Sequence, residues 1–176
     1  MKKLIALLLA LTMVAAMAAG CGNNAASDKA PLEGTMEENA GKIIEKNPDE
    51  FMGGILPVDL TDTSEDGLWA ITYNTGLSTA EKINDIAVYE PMMGSIAFSM
   101  VLVRLNDAAD AKTVAQEMSD NIDTRKWICV EANEKIVAGY GDVVMLIMLD
   151  STTGMSAQAF VDSFKEICGG ELDFTI

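Results

Sequence analysis

From residue 35 onward the apolar positions recur with two periods, and the periods alternate along the chain. Met36, Ala40, Ile43 and Ile44 share one helical face, Thr35 and Glu38 form a capping box in front of them, and Asn47-Pro48 stops the helix. Phe51 to Leu60 is broken by Gly53-Gly54 and Pro57 and reads as irregular, with a short helix following from about Ser64 over Leu68, Trp69 and Ile71. Ser78 and Glu81 suggest another capped helix start around Thr79-Ala80-Glu81-Lys82. Ile83 to Glu90 is strand-like, Pro91-Met92-Met93-Gly94 turns the chain, and Ile96 to Leu105 is apolar on both alternating sets of positions. Asn106-Asp107 then opens a helix carrying Ala111, Val114, Ala115, Met118 and Ile122.

The same succession returns further on. Lys135 to Ala138 is a strand, Gly139-Tyr140-Gly141-Asp142 a turn, and Val143 to Leu149 an apolar run suited to burial on both faces. Ser156 precedes a helix with Phe160, Val161, Phe164, Ile167 and Cys168 on one side, ended by Gly169-Gly170. Two hairpin-helix units predict an α+β fold: an antiparallel sheet of four to five strands, helices packed on one face, and a helical segment in front.

Ahead of this domain the pattern changes. Met1-Lys2-Lys3 is followed by uncharged residues from Leu4 to Ala19, first leucine-rich and then small, as in a secretory signal; a retained single-span anchor is the other reading. Ala18-Ala19-Gly20-Cys21 resembles the bacterial lipoprotein cleavage motif, although alanine stands at residue 18 where leucine is usual. That resemblance implies a signal peptide over residues 1–20 and a diacylglyceride on Cys21, which holds the chain on the outer face of the cell membrane. Residues 21–34, polar and without periodicity, read as a flexible tether, and residues 35–176 as one domain.

Composition narrows the chemistry. The chain has 12 Lys+Arg, 27 Asp+Glu and no histidine, a net charge of −15. Residues 1–20 contain two of the bases and none of the acids, so the remainder carries −17. Such a chain repels nucleic acid and anionic headgroups. Without histidine there is no Ser-His-Asp triad, Cys-His pair or imidazole metal site. No cofactor motif is present, and 156 residues are too few for a two-lobed solute-binding protein.

The lipoprotein signal is accompanied by Ile86-Ala87-Val88-Tyr89 entering Pro91-Met92-Met93, by Ala97 to Arg104 leading into Asp107-Ala108, and by Gly139-Tyr140-Gly141-Asp142 running into Val143 to Ile147. Together these segments resemble small exported lipoproteins of Gram-positive bacteria built on a domain of unknown function. The likeness covers Ile55 to Ile167 and carries no catalytic or binding residues with it.

Four local features compete with bland explanations. Cys129 and Cys168 form either an export-compatible disulfide or two separate core thiols. Asp62-Thr63-Ser64-Glu65-Asp66-Gly67 has the alternating oxygens of a calcium loop, but Tyr73 stands where the bidentate glutamate belongs, and an Asx turn with a helix cap explains the same residues. Met145 and Met148 are core filler rather than thioether metal ligands, whereas Met92 and Met93 on a turn suggest a contact point for a partner. The functional expectation is a non-enzymatic binding or interaction module that meets an envelope protein or a small ligand. The alternative is a small carboxylate-dependent glycan hydrolase with two acids beside Trp69, Tyr73 or Trp127.

Overall fold

The apolar run Val143–Leu149 is a strand with every residue buried, and the sheet is arranged around it. The computed structural model describes residues 29–48 and 51–176. Among the described residues there are six strands: β1 (Gly53–Leu56), β2 (Ile83–Pro91), β3 (Phe98–Leu105), β4 (Glu134–Tyr140), β5 (Val143–Leu149) and β6 (Phe174–Thr175). They lie in the order β1-β2-β3-β5-β4-β6, each antiparallel to its neighbours. The helices are α1 (Met36–Lys46), α2 (Glu65–Thr75), α3 (Ala111–Asn121) and α4 (Ala157–Cys168). The α+β class and the units β2-β3-α3 and β4-β5-α4 follow the sequence pattern.

The helices cover both faces of the sheet instead of one, for a reason written in β3. Phe98, Met100 and Leu102 point to the side packed by α1 and α4, while Val101, Val103 and Leu105 point to the side packed by α2 and α3. A strand apolar on both sides leaves water on neither.

Two short edge strands complete the sheet where sequence signals were weakest. Gly53 in β1 lies under the ring of Tyr89, where a Cβ would stand 2.6 Å from the ring, and Gly139 in β4 lies under Phe174 of β6, where a Cβ would stand 2.2 Å away. Glycine is required at both positions for an aromatic ring to close over the backbone. Thr79-Ala80-Glu81-Lys82 forms a turn, not a helix: Ile83 N–H donates to Ala80 O at 2.8 Å, and Lys82 O accepts from Asn106 N at 2.9 Å, which feeds the chain into β2.

Both helices on the α1/α4 side take caps from strands. The α1 capping box of Thr35 and Glu38 is formed, and Met36 N–H also donates to Asp85 Oδ2 at 2.8 Å. At α4 the side chain of Ser156 makes no cap; Glu134 Oε2 accepts from Ala157 N at 2.7 Å, setting a carboxylate at the positive end of the helix.

The segment expected to be tether is docked from Lys29 onward. Leu32 is buried in the α1/α4 core. The Arg104 guanidinium donates to the carbonyls of Leu32 and Gly34, and buried Asn39 donates to Glu33 O and Thr35 O at 2.9 Å each. Lys29 pairs with Asp173 at 2.6 Å and lies over the Tyr140 ring. These contacts gather where β3 and β4 end and β5 begins.

Candidate interaction surface

The opposite end of the sheet is built from three segments. The β2–β3 turn presents Met92 and Met93, which are 73% and 57% exposed, and Met92 N–H ties it to Met52 O at 2.9 Å. After α3, Asp123 accepts from Arg125 N at 2.8 Å and Ala132 N–H donates to Thr124 O at 2.9 Å, closing a loop over residues 124–132. Its tip, Ile128, is 75% exposed and donates its N–H to Gly94 O at 3.1 Å, locking the loop onto the β2–β3 turn. The third segment is α2, whose inward stripe is Gly67, Ile71, Asn74 and Thr75. Trp69 lies off that stripe, is 62% exposed, and stacks on Tyr73 with ring centroids 4.8 Å apart. The Tyr73 hydroxyl donates to Lys126 O at 3.1 Å, so all three segments join in one strip.

Beneath the strip lies an ion pair. Lys126 Nζ is 2.5 Å from Glu90 Oε1, and the two side chains are 1% and 8% exposed. The ammonium also donates to Ser99 Oγ at 3.3 Å and lies 4.6 Å from the centre of the Tyr73 ring. Burial lowers the Lys126 pKa against the opposing pull of Glu90, and burial, then the negative charges of Glu90 and Asp123, raises that of Tyr73. A serine beside a lysine of lowered pKa is in principle a nucleophile and its base. Here Ser99 is fully buried, so no substrate carbonyl reaches it, and the pair serves as an interior polar anchor.

The sites read from sequence distribute as follows. Met92 and Met93 are at the tip. Cys21 and residues 1–20 lie outside the described residues. Of the two readings left open for Cys129 and Cys168, the structure has the separate thiols and not the disulfide. Cys168 packs with the α1/α4 core, and Cys129 follows Trp127 of the other core, so the sheet stands between them. Burial pushes the Cys168 thiol up to about 12, whereas Cys129 is exposed and has a left-handed backbone with φ of 63°.

In the acidic loop, Asp62 Oδ1 accepts from Ser64 N at 2.9 Å and Ser64 Oγ accepts from Gly67 N at 3.2 Å, so these oxygens form an Asx turn and a cap. Among the described residues no three cysteine or acidic side chains are grouped to hold a metal ion. The hydrogen bonds of Thr61, Ser64 and Thr152 hold the carboxyls of Asp59, Asp62 and Asp150, respectively, below the ordinary range. Met145 and Met148 point to opposite faces of β5 and fill the two cores.

Of the residues at this site, Ser99 and the exposed Trp69 had faint sequence signals. Ser99 is a lone hydroxyl within the apolar run of β3, and Trp69 cannot share a helical face with Ile71 and Thr75. No family model, curated protein or solved structure matches the chain.

Proposed function

We propose that the chain is a membrane-anchored extracytoplasmic lipoprotein, held by lipid on Cys21, whose folded part is a non-enzymatic binding module of the cell envelope. Its resemblance to small exported lipoproteins of Gram-positive bacteria belongs to the same proposal. The observation that carries the reading is a division of labour between the ends of the sheet. Residues 29–34, the described residues nearest Cys21, dock at one end, and an exposed strip of Trp69, Ile128, Met92 and Met93 occupies the other. Large apolar side chains gathered on a very acidic surface mark a contact site. The rings of Tyr73, on which Trp69 stacks, and of Trp127 lie against a buried cation paired with one acid, not against the two facing acids that glycoside hydrolysis uses.

Metabolic labelling with a fatty-acid probe, combined with a photocrosslinking residue at Met93 or at the exposed control position Glu37 on α1, tests the proposal in cells. Label that disappears in Cys21→Ala and discrete products from Met93 alone are expected. Label retained in Cys21→Ala, or identical products from both positions, would sink it.

A further inference from the structure

We infer that the strip of Trp69, Ile128, Met92 and Met93 docks a cationic amphipathic segment of another envelope protein, with apolar side chains on the strip and Lys or Arg against its acidic margin. This rests on the interaction-module reading and gives the partner a chemistry. Three observations carry it.

The first is continuity. Hydrogen bonds from Tyr73 to Lys126 O and from Ile128 to Gly94 O hold the four apolar residues in one run. Two of the four are methionines, whose unbranched side chains adapt to an apolar helix face.

The second is charge. Asp59 to Tyr73 contains four acids and no base, and Pro91 to Ile96 contains no charge. Asp123 to Glu131 contains two acids and two bases, but Lys126 is buried against Glu90 and contributes none of its charge to the surface. Arg125, paired to Glu131 at 3.4 Å, is therefore the one exposed base against six acids in these segments. Such a margin attracts a cationic partner and opposes both a second copy and an anionic lipid surface, each of which brings more negative charge.

The third is shape. Next to Ile128 a recess of about 360 Å³ is lined by Trp127, Cys129 and Val130 and by the exposed pair Arg125–Glu131. A long aliphatic side chain ending in a cation fits there by laying its stem on Trp127 and Val130 and taking the place of Arg125 beside Glu131, an exchange that a solvent-exposed pair allows at little cost.

The mature chain, residues 21–176 without lipid, is titrated with a helical Lys/Leu peptide of about 14 residues, with Leu at i, i+3, i+4 and i+7. A scrambled peptide of the same composition and a Glu/Leu counterpart serve as controls. Saturable one-to-one binding about tenfold tighter than the scramble is expected, weakened about fivefold or more by Trp69→Ala and by Ile128→Ser at unchanged Tm. A Glu65→Gln, Asp66→Asn variant should bind more weakly and with less salt dependence. No binding, equal binding of the scramble or the Glu/Leu peptide, or wild-type affinity in the strip variants overturns the inference. So does a dimer that Ile128→Ser dissociates, or insertion of Trp69 into anionic vesicles. A Met93 cross-link in cells without peptide binding would remove the cationic partner and leave the interaction module standing.

Discussion

Glu90 on β2 and Lys126 on the loop after α3 are buried together, and each is tolerable only because of the other. Removing one partner of a buried ion pair leaves an uncompensated charge and costs about 3–5 kcal/mol, whereas replacing both with apolar side chains of similar volume is often close to neutral. Glu90→Gln is therefore expected to lower the unfolding free energy by about 3 kcal/mol, and the double variant Glu90→Leu, Lys126→Met by much less. Urea unfolding of the variants checks this, and equal losses in single and double variants would show that the pair contributes as packing alone. The pH dependence has a definite sign. Burial lowers the folded-state pKa of Lys126 from 10.5, so between the lowered value and 10.5 the unfolded chain binds more protons. Stability contributed through Lys126 thus rises with pH across that window, and wild type should gain on the double variant as pH approaches 10.5. None of this pairing is legible along the chain. Glu90 reads as the last residue of a strand and Lys126 as one base among many acids, and only the route of β2 past the loop after α3 brings them together.

At the scale of elements, strong periodicity carried the reading and weak periodicity misled it. Four helices and two hairpins were legible from their caps and from the period of their apolar positions, and the edges were not. β1 and β6 have four and two residues, and each is held by a ring crossing a glycine instead of by an apolar alternation. The segment Thr79–Lys82 carries helix-capping residues, yet it is used as a turn because its backbone is committed to the start of β2. Cover on both faces was implicit in the two apolar faces of β3, but the pattern does not say which helix goes to which side. The edge mechanism predicts a particular failure. In Gly139→Ala the new methyl would displace Phe174, costing about 1–3 kcal/mol as an overpacked site does. The loss should be local, because Ile176 N–H donates to Val137 O at 2.7 Å and Val137 N–H to Ile176 O at 3.0 Å beside that ring. Hydrogen exchange should accelerate at Ile176 and Val137 while amides of β3 and β5 keep their protection. Unchanged exchange at Ile176 would mean that the ring is not what holds β6.

The whole molecule is organised by where the segment before α1 is fastened. If Cys21 carries lipid as proposed, the domain is fastened again eight residues later at Lys29, so the anchor and the first docked residue are at most about 29 Å apart. β3 spans eight residues and about 24 Å from the docked end to the apolar tip. Fastening the chain at one end of the sheet therefore keeps that end within about 29 Å of the anchor, while the opposite end can extend about 24 Å further. A freely jointed tether over residues 21–34 would loosen that limit to about 47 Å. The difference is measurable, because it depends on Leu32, which is 8% exposed, and on the carbonyls held by Arg104. Leu32→Asp should release the segment at a cost of about 2 kcal/mol, the value of one buried leucine. Trypsin should then cut after Lys29 about thirtyfold faster than in wild type, since proteolysis follows the population of the opened segment. The apolar tip, about 24 Å away, should bind its peptide with unchanged affinity. Equal cleavage rates in the two proteins would mean that the segment is not fastened at Leu32 and that the whole of residues 21–34 acts as tether.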